Sequence, residues 1–143
     1  MKVIAQDTSG SVIIVAKEIG LDHSLRCSVR LTSQGFSGSN RSVWFSREAI
    51  EHFAARLCKL EAAREGEASM TALSPKNFAV TFAAADSIGH ICCRASVSRC
   101  ISDFGCWLTQ YLEVEFMIDP SSLPRICRSV ELELLMYKNL KTA

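Results

Sequence analysis

An excess of charge of either sign is the first thing this sequence lacks. Its 143 residues carry 16 Lys and Arg against 15 Asp and Glu, a net charge of +1, spread evenly over both halves. A protein that holds nucleic acid by neutralising phosphates needs a clear basic surplus on one face, so that class is excluded, along with any acidic or basic tail. Long apolar runs are missing too. Val12–Ala16 is too short for the core of a signal peptide, and nothing approaches the roughly 20 apolar residues that a membrane-spanning helix needs. The expectation is a cytoplasmic protein with no membrane partner. With three prolines and seven glycines, the chain contains no internal repeat, low-complexity tract or linker. Residues 1–143 therefore read as a single domain, which at this length buries about two-thirds of its unfolded surface and needs no disulfide or metal staple.

Cysteine is not lacking, but the patterns that make cysteines functional are. The seven are Cys27, Cys58, Cys92, Cys93, Cys100, Cys106 and Cys127, with no CxxC pair among them. In a reducing compartment they are not a disulfide framework. His90-Ile-Cys92-Cys93 comes nearest to a metal signature, yet zinc needs about four converging ligands, and adjacent residues on a strand point to opposite faces. No metal and no cofactor are expected. Cys58 and Cys127 fall on the apolar stripes of the predicted helices, and the expected role for these thiols is that of small buried hydrophobes.

Alternation with a period of two dominates the rest. Leu25, Cys27, Val29 and Leu31 alternate with Arg26, Ser28, Arg30 and Thr32. Phe78–Ala84 and Ile91–Val97 behave alike, and the longest alternation runs over Cys106–Ile118. Weaker strands are read at Val12–Lys17, Arg41–Phe45 and Glu67–Leu73, while Ser33–Ser42 reads as a loop. Asp86-Ser-Ile-Gly89 and Ser102-Asp-Phe-Gly105 are short enough to close antiparallel hairpins. Two segments have helical spacing. One starts at the N-cap Ser46, shows Ile50, Phe53, Ala54, Leu57 and Leu60 on one face, and stops before Gly66. The other follows Asp119-Pro120, with Leu123, Ile126, Cys127, Val130 and Leu134 on its stripe and Pro124 in its first turn. The pattern predicts an α+β fold: a twisted antiparallel sheet of about six to seven strands with both helices packed on one face.

Catalytic constellations are scarce. Gly35-Phe-Ser-Gly38 matches no phosphate-binding or nucleophile-elbow motif and reads as a turn. His52 lies four residues after Glu48 on a solvated helix face, and His23 sits in a Leu-Asp-His-Ser turn. His90 and Cys92 share one strand face, but residues two apart on a strand stand almost 7 Å apart, too far for a nucleophile and its base. Glu113 and Glu115 read as cross-strand ion-pair partners rather than an acid–base pair. Trp107, Tyr111, Arg94, Glu113 and Glu115, with Arg26, Arg30 and His90, are expected to point outward from the sheet. Aromatic residues and arginines with both signs of charge are what protein–protein contact sites are made of.

One pattern spans most of the chain. Gly35-Phe36, Val43-Trp-Phe45 leading into Ile50, Phe53, Leu57 and Leu60, Gly66-Glu-Ala68, Phe78–Phe82, Gly89-His90-Ile91, and Phe116-Met-Ile-Asp119 before Leu123 and Ile126 together resemble the WapI-like immunity family. The resemblance implies a small bacterial α+β protein that binds and neutralises the toxic C-terminal domain of a polymorphic contact toxin, a nuclease for the founding member. It brings no catalytic residues. The chain lacks the strong acidity common in nuclease inhibitors, although residues 106–136 hold Glu113, Glu115, Asp119, Glu131 and Glu133 against Arg125 and Arg128. Beside a toxin-binding protein stand two other readings: a small hydrolase or ligand-binding domain with a pocket near His90 and Cys92, and a homodimer joined through the outer sheet face.

Overall fold

The computed structural model describes residues 1–138. Eight strands are present among them: β1 (Lys2–Ile4), β2 (Gly10–Ile19), β3 (Leu25–Ser33), β4 (Phe36–Phe45), β5 (Glu67–Thr71), β6 (Phe78–Ala84), β7 (Ile91–Asp103) and β8 (Cys106–Ile118). Helix α1 spans Arg47–Ala63 and α2 spans Leu123–Ser129, after a single 3-10 turn at Pro120–Ser122. From Val130 to Leu135 the chain continues in wider, π-type turns. All strand pairs are antiparallel.

The fold class is α+β, but the strands form two sheets rather than one of six to seven strands. β1-β2-β3-β4 make the first and β5-β6-β7-β8 the second. Helix α1 lies between β4 and β5 in the chain, so no hairpin joins the two meanders. The deeper reason is area. Eight strands in one sheet, about 4.8 Å apart, would spread roughly 35 Å, and two helices about 10 Å wide would leave much of its apolar face wet. Two sheets instead turn their apolar faces toward a shared core, which the helices complete.

Val12, Ile14, Cys27, Val29 and Leu31 enter that core from the first sheet, and Val80, Phe82, Ile91, Cys93 and Ala95 from the second. Phe45 meets Phe78 edge to face, with ring centroids 5.8 Å apart, and Phe53 of α1 meets Phe82 at 6.0 Å. Helix α1 packs on β5, β6 and α2, whereas α2 reaches β1 and the π-type segment reaches β2. The helices therefore contact both sheets, not one face of a single sheet.

Local signals place α1 as the sequence indicates. Ser46 Oγ accepts the Ala49 N–H at 3.1 Å, and Ile50, Phe53, Leu57 and Leu60 are buried. Arg64 closes the helix with left-handed backbone (φ 57°), ahead of Gly66 (φ 82°). The ion pair on its solvated face joins Arg47 to Glu51, not Glu48 to His52.

The Ser33–Ser42 loop reading is overturned. Only Gln34-Gly35 turns (φ 46° and 89°), and Phe36–Phe45 is a strand paired with β3 from Ser33↔Phe36 onward. Its Phe-Ser-Gly-Ser-Asn-Arg run has no apolar alternation because Gly38 lies where Leu112 presses in: a Cβ there would stand 3.2 Å from that side chain. β7 also runs six residues beyond the Val97 at which the alternation ends, and the three-residue β1 was not anticipated.

Candidate functional site

The register between β7 and β8 is unbroken from Ile91↔Ile118 to Asp103↔Cys106. β6, however, pairs with β7 only as far as Phe78↔Val97. Beyond that point β7 has β8 as its one ladder partner, and the two strands run on as a two-stranded arm. Phe104-Gly105 closes it with two left-handed residues (φ 47° and 77°), the backbone that two-residue hairpins favour because it matches strand twist.

On the inner face, Val114 and Phe116 are buried opposite Ala95 and Cys93. Leu112 is partly buried against the core, and Leu108, further out, is 46% exposed. The outer face carries Trp107, Tyr111, Glu113 and Glu115, with Arg94 across from Glu115. Trp107 is 78% exposed, Tyr111 61%, and Phe104 at the tip is fully exposed.

Four of the five expected contact residues form one bonded chain. Arg94 Nε donates to Glu115 Oε2 at 3.2 Å and lies 3.9 Å from Glu113 Oε1. The Tyr111 hydroxyl donates to Glu113 Oε2 at 2.8 Å. The Cys92 thiol donates to Glu115 Oε1 at 3.3 Å. That thiol and the Arg94 guanidinium hold the Glu115 carboxyl below its ordinary range, and Glu113 holds the Tyr111 phenol above its own. Trp107 shares the face but sits four residues further along, toward the tip.

Arg26 and Arg30 are not on this face. Both belong to β3 in the first sheet, where Arg26 Nη2 pairs with Glu18 Oε2 at 2.8 Å. His90 is also elsewhere: it precedes β7, its Nδ1 bonds Asp86 Oδ2, and its N–H reaches Asp86 Oδ1 at 3.2 Å. A His90–Cys92 pair is therefore not formed. Burial, and then the Glu115 carboxylate, push the Cys92 thiol up to about 11, which is the opposite of an activated nucleophile. The groove beside Cys92 is lined by Glu67, Thr81, Arg94 and Met117 among others, without His90.

The expectation of buried thiols holds for Cys27 and Cys93 alone. Burial raises the first to about 12 and the second further still. Cys127 is half-buried, but Cys58, one residue past Leu57, has turned off the stripe to the exposed side. Cys100 and Cys106 lie exposed on the arm. Among the described residues, no three His, Cys, Asp or Glu side chains gather as a metal-binding group, and no helix is long and apolar enough to cross a membrane.

The sequence reading missed a broad open depression of about 800 Å³ between the β3–β4 hairpin and the base of the arm. Arg30, Thr32 and Ser37 line one side, and Arg99, Gln110 and Leu112 the other. It also missed the exposed Phe104 and Leu108. The available signal was the length of the Cys106–Ile118 alternation, nearly twice that of the Phe78–Ala84 strand.

A family model described as the immunity protein WapI-like family matches residues 20–138. No curated protein and no solved structure matches the chain.

Proposed function

The chain belongs to the WapI-like immunity protein family, and from that premise we propose that it is a non-catalytic protein that neutralises a cognate contact-toxin domain by binding it through the outer face of β7–β8. Trp107 and Tyr111 are the apolar anchors, while Arg94, Glu113 and Glu115 supply directional charge. The observation that carries this assignment is the pairing of large exposed aromatic surface with an ordered polar chain on the same strand face. Trp107 and Tyr111 stand open to solvent, and the Tyr111–Glu113, Arg94–Glu113 and Arg94–Glu115 contacts fix the neighbouring side chains before any partner arrives. Preordered side chains lose less freedom on binding, and exposed Trp, Tyr and Arg dominate contact energetics. The separation of His90 from Cys92 and the raised Cys92 thiol weigh against the hydrolase reading at that pair.

Co-expression tests the proposal. The reading predicts a toxin domain encoded beside this gene; that domain is expressed in cells with or without this protein, and growth is followed. Growth should be rescued by the parent chain and lost with Trp107→Ala combined with Tyr111→Ala, while soluble levels of the double variant stay at parental values. Equal rescue by the double variant would place the contact surface elsewhere.

A further inference from the structure

β8 ends the second sheet, and its outer edge is open. Other edges are short or covered. β1 has three residues and β5 has five. β4 has ten; on its edge the Trp44 carbonyl accepts the Leu73 N–H at 2.8 Å, and a side-chain bond from Asn40 to Ser98 O holds the strand against β7. β8 has thirteen residues, with no proline, lysine or arginine and no bulge in its register. Among the described residues its outer ladder is met once, where Gln6 N–H donates to Met117 O at 2.8 Å.

That single bond fixes which residues face the open side. In an antiparallel strand a residue's N–H and C=O point the same way, and successive residues alternate. Met117 faces outward and the register is unbroken, so Glu115, Glu113, Tyr111, Thr109 and Trp107 turn their backbone groups to the open edge. Leu108, Gln110, Leu112 and Val114 turn theirs to β7. The residues with outward backbone groups are the same ones whose side chains form the outer face.

Resting on the reading of this face as the toxin-binding surface, we propose that the edge of β8 from Trp107 to Glu113 binds the toxin domain by strand addition: an extended toxin segment joins the second sheet beside β8. Seven residues give about 24 Å of ladder. Among protein partners, a backbone strand is the one that pairs with alternating N–H and C=O groups along that whole length in place of water. Charge sets the rest of the partner's chemistry. One guanidinium, Arg94, serves both Glu113 and Glu115 from the β7 side, leaving one uncompensated negative charge toward the open edge. The added strand therefore carries Lys or Arg beside the two glutamates, and apolar residues toward Tyr111 and Trp107. A second copy of β8 has no Lys or Arg to offer.

Amide hydrogen exchange followed by NMR, on the free protein and on its complex with the proposed cognate toxin domain in inactivated form, tests the proposal. In the free protein, amides of Thr109, Tyr111 and Glu113 should exchange at least about tenfold faster than those of Gln110, Leu112 and Val114, and they should become protected in the complex. Thr109→Pro removes an outward N–H and should weaken binding at least about tenfold with the fold retained. If Thr109→Pro binds as the parent does, and these amides stay fast in a complex that Trp107→Ala weakens, strand addition is wrong while the contact face stands. If Trp107→Ala and Tyr111→Ala also leave binding unchanged, both fail. Protection of the same amides by self-association of the free protein would overturn the assignment of a toxin strand.

Discussion

The hairpins β3–β4 and β7–β8 close with left-handed turns and exposed tips, Phe36 on one and Phe104 on the other. They differ in what supports the strands behind those tips. At Gln34-Gly35 the first turns back over a body that receives it: Gly38 lets Leu112 and Val97 approach, and Asn40 ties β4 to Ser98. At Phe104-Gly105 the second outruns its neighbours, because β6 stops pairing at Val97. Past that point both faces of the ribbon are largely exposed, with Trp107 and Tyr111 on one and Leu108 on the other. A two-stranded ribbon is at best marginally stable in water. The difference between the hairpins therefore separates residues that maintain the fold from residues free to meet a partner.

Core truncation should break this comparison most visibly if it is wrong. Phe53→Ala, fully buried against Phe82, is expected to cost about 3–5 kcal/mol in urea unfolding. Leu108→Ala and Phe104→Ala, on the arm, should stay within about 0.5 kcal/mol of the parent. A loss at Leu108 comparable with that at Phe53 would mean the arm is packed, not free.

Glycine substitutions sharpen the same contrast. At Gly10 a Cβ would stand 2.8 Å from the Phe116 ring and 3.1 Å from the Thr32 carbonyl oxygen. Gly10→Ala should therefore cost about 2 kcal/mol of global stability through overpacking. At Gly105 nothing lies within 4 Å of a new Cβ, but φ is +77°. Gly105→Ala should cost about 1 kcal/mol, felt locally as faster amide exchange near the tip with little change in the urea midpoint.

Thiol chemistry is the subtlest probe. Cys92 is raised to about 11, so its thiolate, and hence its alkylation, grows only as pH rises toward that value. At pH 8, mass spectrometry should find the exposed Cys100 and Cys106 alkylated by iodoacetamide before Cys92. Glu115→Gln removes a negative charge that favours the neutral thiol, so it should lower that value and speed the Cys92 reaction. Reaction at Cys92 first, well below pH 8.5, would restore an activated nucleophile.

Much of this was legible because local rules and burial agreed. The β8 boundaries, the Ser46 cap and the α1 stripe each follow from patterning that tertiary packing reinforces. Where the reading failed, a non-local partner decided. Phe36–Ser42 is a strand because β3 pairs with it and Leu112 needs the space over Gly38, neither of which shows in a run of small polar residues. The division into two sheets depends on how eight apolar faces share one core, a question of area that alternation within each strand does not address. The proposed contact residues Arg94, Tyr111, Glu113 and Glu115 came together because β7 and β8 are joined by a two-residue turn that fixes their register. Arg26 and Arg30 were misplaced because period two gives a face but not the sheet to which it belongs.

In the proposed mode of binding, the exposed arm, rather than exposed apolar surface in general, recognises the partner. Leu21 and Ile88 lie outside the arm and are 106% and 78% exposed, so they match Trp107 in accessibility. The direct measurement is calorimetric titration of the proposed cognate toxin domain into the parent, Trp107→Ala, and the Leu21→Ala and Ile88→Ala controls. Binding should be one-to-one and lose about 2 kcal/mol, roughly thirtyfold, with Trp107→Ala. The controls should bind as the parent does. Parental affinity in Trp107→Ala, or an equal loss in the controls, would contradict this mode of binding.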